Sequence, residues 1–261
     1  MASSTTAAAA AAALKISSDK IVLGKGFIQA TNEFKEKTPG KSALVLGGTG
    51  EVGREVIKHL LASGAFDKVT AFTRRPIEYT GVNSEKLVQK PIDFENEEQL
   101  KKDFSGHSHA YSCLGTTRAK SGKEGFYKID HDYVLNAAKA CKAANIESYS
   151  ICSSTGANKN SNLLYSRTKG EVDDEVLKMG FANVGVFRPA MIECEREESR
   201  IMEKMASYVL PVLKLAFPKT VGIPSSTIAW SMVYNSIHPT KDRESNIFSN
   251  AEMLDMFEKN Q

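Results

Sequence analysis

The run Ser42-Ala43-Leu44-Val45-Leu46-Gly47-Gly48-Thr49-Gly50-Glu51-Val52-Gly53 decides the fold. Its first five residues form a short apolar stretch and its middle is a glycine-rich turn. Val52, Val56 and Leu60 then recur every four residues, so the segment reads as strand, tight turn and helix, with Gly64 as the stop. Glycines at 47, 50 and 53 suit three tasks: a tight turn, close approach of the backbone to a diphosphate, and close packing of helix on strand. The helix N-terminus supplies oriented N–H groups for such an anion. Glu51 suits the positive end of the helix dipole with or without a ligand. The bland alternative is a glycine-rich turn that binds nothing.

Outward from this run the chain alternates β-rich stretches with amphipathic ones. Candidate strands are Ser42–Leu46, Val69–Thr73, Leu87–Ile92, His109–Leu114, Ser148–Cys152 and Val184–Arg188. Val134, Ala138 and Lys142 give a looser helical spacing, and Gly180 is a second stop. This is the mark of an α/β fold, a doubly wound Rossmann parallel sheet with helices on both faces. A length of 261 residues fits one domain with a tail. Residues 1–40 read as an N-terminal leader and short helix, and residues 41–261 as the nucleotide-binding domain, with substrate elements from about residue 190.

In the leader, seven consecutive alanines among Ser and Thr, with no Arg and no acid before Asp19, imply a disordered or weakly helical segment. A targeting segment is the alternative, against which the missing Arg counts. Phe27, Ile28 and Phe34 then lie at near-helical spacing before Pro39-Gly40, so a short helix docks there. Beyond Ile201, Met202, Met205, Val209, Leu213 and Phe217 suggest a helix outside the sheet, in a short C-terminal lobe over the crevice.

A balance of 34 basic against 31 acidic residues is too even for a nucleic-acid surface. No apolar run is long enough to span a bilayer, which leaves only peripheral membrane association open. Cys113, Cys141, Cys152 and Cys194 lie far apart without CxxC spacing, as in a reducing compartment. His107 and His109 have no ligand cluster around them, so no metal is expected; Trp230 reads as core. The loop Thr116–Lys128, with Arg118, Lys120, Lys123 and Lys128, reads as a cover for the cofactor, as a contact for an acidic partner, or as a solvated loop.

About twenty residues past the glycines, a site built for NADH holds a carboxylate against the ribose 2′-hydroxyl. Here Thr73-Arg74-Arg75-Pro76 stands instead, and no carboxylate appears before Glu78. Two guanidinium groups suit a 2′-phosphate, so Arg74 and Arg75 favour NADPH; the alternative is a pair of solvated surface charges. Asp93 reads equally as an adenine contact or a turn residue. Tyr165 and Lys169 are an i, i+4 pair on one helical face. A neighbouring cation favours phenolate, which makes the Tyr165 hydroxyl a usable acid or base. Ser153 and Ser154 end the strand upstream, where either could hold a substrate carbonyl or merely build a turn.

GGTGEVG after the first strand, Tyr165 with Lys169, and Arg188-Pro189 after the sixth strand resemble the atypical branch of the short-chain dehydrogenase/reductase superfamily. The segments CLGTTRAKSGKEGF, IDHDYVLNAAKA, SSTGANKNSNLLYSRTKGEV and FRPAMIECEREESR resemble, more narrowly, the Tat-interacting oxidoreductase family, which has a fungal mitochondrial branch. The resemblance runs from about Ser42 to Arg200 and implies an NADPH-dependent carbonyl reductase. It implies cofactor contacts from Thr49, Gly50, Glu51, Val52, Gly53 and Arg54, from Arg74 and Arg75, from Leu114 and Gly115, and from Arg200. Tyr165 would be the proton donor, and Lys169 would hold the nicotinamide ribose.

Two departures stand out: Asp130 occupies the place where many short-chain reductases have Asn, and Ala190 follows Arg188-Pro189 where Gly is usual. The resemblance also admits a second function class, an NADPH-binding regulator whose cofactor state controls association with protein partners. A cytoplasmic location is the default, and the fungal branch raises the mitochondrial outer surface.

Overall fold

Ala43 and Val45 pack into one core and Leu44 and Leu46 into another, so the strand that carries them is covered on both faces. That burial is why SALVL reads as a continuous apolar run rather than an alternating one. The structure, a computed structural model, describes residues 13–18, 21–193, 222–239 and 246–261. In chain order its elements are β1 (Leu14–Ser17), α1 (Lys25–Lys37), β2 (Ser42–Leu46), α2 (Glu51–Ser63), β3 (Lys68–Phe72), β4 (Ile77–Thr80) and β5 (Leu87–Lys90). They continue with α3 (Glu97–Phe104), β6 (His109–Ser112), α4 (Arg118–Tyr127), a π-helical turn (Lys128–Tyr133), α5 (Val134–Ala143), β7 (Ser148–Cys152), α6 (Leu164–Lys178) and β8 (Asn183–Arg188). Last come β9 (Met191–Glu193), β10 (Gly222–Pro224), α7 (Ser225–Ile237), β11 (Ile247–Ser249) and α8 (Asn250–Lys259).

Seven strands form one sheet in the order β11-β8-β7-β6-β2-β3-β5, every pair parallel. The chain starts at β2, winds outward through β3 to β5, then returns to β6 and winds the other way. Phe27 and Phe34 of α1, the apolar stripe of α2, and α7 with Met253 of α8 fill one face; α3, α5 and α6 fill the other. This is the doubly wound α/β sheet expected from the sequence. The direction of winding reverses between β2 and β6, and the crevice beyond their carboxyl ends is where such sheets bind ligands.

Local rules set the element ends. Gly64 closes α2 in the left-handed conformation, with φ of 62°, and Gly180 stands two residues past α6 with φ of 71°. Pro91 lies just past β5, one reason that strand ends before Ile92.

Four expectations are corrected. Most of Thr116–Lys128 is not a loop but the helix α4 (Arg118–Tyr127), kinked at Gly122. Leu14–Ser17 is neither disordered nor helical: it pairs in parallel with Ile77–Thr80, and Ile16 is buried beneath. Ile28 lies on the outer face of α1, 51% exposed, while Phe27, Ala30 and Phe34 make the contact. The short strand β11 adds a seventh strand beside β8. The helix suggested by Met202 to Phe217 falls outside the described residues, as do Cys194 and Arg200; the parallel pair β9 and β10 flanks that segment.

Candidate functional site

Gly47 begins the turn after β2 with φ of 77°, and a Cβ there would stand 2.4 Å from the carbonyl oxygen of Cys113, at the end of β6. A Cβ on Gly53 would stand 2.2 Å from the carbonyl oxygen of Gly47. The first glycine therefore lets the turn pass against the neighbouring strand, and the last lets α2 rest on it. What results is a backbone cradle at the N-terminus of α2, open to the crevice and suited to a diphosphate.

Two adjoining cavities, about 410 and 330 Å³, meet along Gly50 and Cys113–Gly115, which line both. The larger runs from Gly47, Gly48 and Thr49 to Thr73, Arg74, Arg75, Asp93 and Tyr133. The smaller holds Glu51, Val52, Thr116, Asp130, Ser153, Tyr165, Lys169 and Ile192. One half thus presents two arginines and the other a phenol and an ammonium group, with the cradle between, a layout that fits a dinucleotide. A further cavity of about 470 Å³ sits at the opposite, amino ends of β6, β7 and β8. It holds none of the predicted residues, and two pairs of its charges are satisfied within it, Lys41 by Glu147 and Lys37 by Glu33.

Most of the expected residues therefore converge. Gly53 and Arg54 lie behind the wall, the former as packing and the latter ion-paired with Glu51. Ser154 lines neither cavity and donates to the Thr155 carbonyl at 3.3 Å, the turn role of the alternative reading. Asp93 takes the turn role, its carboxylate accepting the Glu95 N–H at 3.0 Å, and it also lines the arginine-side cavity. Ala190 does not take a positive φ, and its N–H donates to Asn250 Oδ1 at 2.9 Å, so nothing there requires glycine.

The chemistry of the smaller cavity is set by α6. Tyr165 stands near its start, 45% exposed, with its ring 5.8 Å from that of Phe126. One turn on, Lys169 is buried, and its Nζ lies 2.9 Å from Asp130 Oδ1. The other oxygen of Asp130 accepts the Thr116 N–H at 2.7 Å, so this carboxylate joins the π-helical turn, the loop after β6 and α6. Burial works against the Lys169 charge, but Asp130 and then Tyr165 outweigh it and hold the ammonium pKa above the usual lysine value.

A turn further along the helix, Asp173 is buried and its Oδ2 accepts two hydrogen bonds, from Ser153 Oγ at 2.9 Å and from Arg188 Nε at 2.8 Å. Burial raises the Asp173 pKa, with Ser153 and Arg188 opposing. Gly170 lets the loop at Asn158 and Lys159 press on the same helix, which holds the turn carrying Ser153 in place. Cys113 and Cys152 add apolar wall; burial pushes both thiols up, Cys152 to about 11, so they are protonated at neutral pH.

Two functional groups escaped sequence reading. Asp130 stood out only as a departure, not as the partner of Lys169. Asp173 went unnoticed, although Tyr165, Lys169 and Asp173 recur every four residues on one helix. Among the described residues no three or more His, Cys, Asp or Glu side chains gather as metal ligands, and no helix is long and apolar enough to cross a membrane.

The profile of the NAD(P)H-binding family matches residues 47–193. Protein HTATIP2 of Rattus norvegicus is 36% identical over 203 residues, covering 78% of this chain and 84% of the rat protein. The mitochondrial protein FMP52-1 of Scheffersomyces stipitis is 37% identical over 162 residues, 61% of this chain and 70% of that protein. Among solved structures, a short-chain dehydrogenase/reductase family oxidoreductase from Burkholderia thailandensis superposes with a TM-score of 0.61 at 14% identity, over 84% of this chain and 94% of its own. MoeE5, solved with UDP-glucose and NAD, superposes with a TM-score of 0.59 at 16% identity, over 84% of this chain and 81% of its own. These two share the fold.

Proposed function

The chain belongs to the NAD(P)H-binding family, alongside HTATIP2 and the fungal FMP52 proteins, and on that premise we propose that it is an NADPH-dependent oxidoreductase that reduces a carbonyl substrate. The observation that carries the reading is the meeting of Tyr165 and Lys169 in one cavity that adjoins the glycine cradle. Arg74 and Arg75 hold the 2′-phosphate that separates NADPH from NADH, and the cradle from Gly47 to Gly50 takes the diphosphate. When bound, NADPH supplies a hydride to the carbonyl carbon.

Tyr165 donates its hydroxyl proton to the carbonyl oxygen, and the Lys169 ammonium, one helical turn away, stabilises the phenolate left behind. Asp130 holds Lys169 in that position. Ser153 is the serine that reaches the cavity, and Ser154 leaves the proposal as a turn residue. The cytosol is the location that goes with this reading; the mitochondrial naming of fungal relatives makes the mitochondrial surface the alternative.

The test is NADPH oxidation against pooled aldehydes, ketones and quinones, with wild type and Tyr165→Phe compared after both are shown to bind NADPH. Turnover that falls by at least about a hundredfold in Tyr165→Phe supports the phenol as acid. Tight NADPH binding with turnover indifferent to Tyr165, or with none, would instead favour a cofactor-sensing regulator.

A further inference from the structure

Ser153 reaches the cavity wall with its hydrogen already committed. Its Oγ–H donates to Asp173 Oδ2 at 2.9 Å, and its backbone N–H donates to the Phe187 carbonyl at 2.7 Å. Arg188 Nε lies 2.8 Å from the same carboxylate oxygen and balances the charge on Asp173, which is 1% exposed. What Ser153 offers the cavity is a pair of oxygen lone pairs. A bare carbonyl is itself only an acceptor and gains nothing from them. The side-chain donors that line this cavity include the Tyr165 hydroxyl and the Lys169 ammonium, with Lys120, Thr116 and Thr117 at its edge toward the loop after β6, and Val52, Cys113, Cys152 and Ile192 supply apolar wall between the polar groups.

We propose that Asp173 makes Ser153 a hydrogen-bond acceptor, and that the site thereby selects substrates with a hydroxyl on the carbon next to the reacting carbonyl, a 2-hydroxy ketone or aldehyde. The proposal rests on the reductase reading for its reaction. In it the carbonyl oxygen takes the Tyr165 proton while the neighbouring hydroxyl donates to Ser153, so one substrate satisfies a donor and an acceptor on the protein at once. A substrate lacking that hydroxyl leaves the Ser153 oxygen facing the cavity without a partner, which is how a hydrogen-bonding site rejects an analogue. Asp173 is a positioning residue: it acts through Ser153 and touches no substrate.

The experiment compares 2-hydroxyacetophenone with acetophenone, a pair that differs by the one hydroxyl. Two readouts are taken on the full-length protein: kcat/KM for NADPH oxidation, and binding to the NADP+-saturated protein by saturation-transfer NMR. Wild type is expected to favour the hydroxy ketone at least about tenfold, and Ser153→Ala to bring that ratio close to unity. Asp173→Asn, whose amide oxygen can accept from both Ser153 and Arg188, is expected to retain the preference. Asp173→Ala, which frees the serine hydroxyl to donate, is expected to lose it.

Because each ratio is taken within one protein sample, a merely structural role for Asp173 would lower both ketones together and leave the ratio unmoved. If Asp173→Ala does not fold, Ser153→Ala decides, since there the Asp173–Arg188 pair stays intact. Equal binding and equal turnover of the two ketones by wild type would overturn the proposal while leaving the reductase standing. Preferential binding of the hydroxy ketone without turnover would uphold the acceptor at Ser153 and count against the reductase.

Discussion

The Lys169 ammonium and the Asp130 carboxylate lie 2.9 Å apart, and both side chains are buried. A buried pair of this kind gives little net stability over an apolar equivalent, but removal of one partner strands the other's charge, at a cost of about 3–5 kcal/mol. Asp130→Ala should therefore lower the unfolding free energy by an amount in that range. Asp130→Asn can still accept from Lys169 or from the Thr116 N–H and should lose less. Urea midpoints for the two variants check this. An Asp130→Ala protein within about 1 kcal/mol of wild type would show that Lys169 finds another partner.

Arg74 and Arg75 are exposed and line the half of the crevice away from Tyr165. Thr73 shapes their turn: its hydroxyl donates to the Arg75 carbonyl at 2.7 Å and accepts the Arg75 N–H at 3.2 Å. Exposure weakens each contact, so the two together are expected to contribute about 2 kcal/mol toward a 2′-phosphate, roughly thirtyfold in affinity. The double variant Arg74→Ala, Arg75→Ala should weaken NADPH by that factor, leave NADH within about twofold, and flatten the salt dependence of NADPH binding. Titration of both cofactors at two salt concentrations measures it, and equal losses for NADPH and NADH would sink the assignment.

The parts of this site that sequence made legible are those whose chemistry is local. Strand, glycine turn and the start of the helix occupy twelve consecutive residues, Arg74 and Arg75 follow the next strand after one residue, and Tyr165 and Lys169 lie one helical turn apart. What escaped depends on partners distant in sequence. The Asp173-Asp174 doublet looks like a solvated helix face, and Asp174 does lie there, paired with Lys159 and Lys178. Asp173 is turned inward by Arg188, from the adjacent strand. Likewise β1 is only four residues long, too short for a periodic signal, and its partner lies 63 residues away.

The turn at Gly47 carries two separable demands, a left-handed backbone and a close approach to Cys113. Gly40 has the same φ of 77° with nothing near its missing Cβ. Gly40→Ala should therefore cost only the conformational strain, about 1–2 kcal/mol, while Gly47→Ala should add the clash and reach about 3 kcal/mol or more. Gly47→Ala should also weaken NADPH, and Gly40→Ala should leave it unchanged. Equal stability losses in the two variants would mean that the ends of β2 and β6 part without cost.

His109 begins β6 inside the core beneath α1, with its ring edge-on to those of Phe34 and Phe66 and its Nδ1 2.9 Å from Ser108 Oγ. Burial drives its pKa down to about 4, and burial also lowers those of His59 and His107. Between pH about 6.5 and about 4 the unfolded chain takes up a proton on residue 109 that the folded chain refuses, so stability is fully present above that window and falls as pH drops through it. For His109 alone the loss at pH about 4.5 comes to about 2.5 kcal/mol. His109→Gln keeps a polar side chain of similar reach that does not titrate, so its stability should fall by that much less between pH about 7.5 and about 4.5. Carboxylates affect both proteins alike and cancel in the comparison. Urea unfolding of each at the two pH values gives the difference directly, and parallel losses would show that the His109 ring gains a solvated route to its proton.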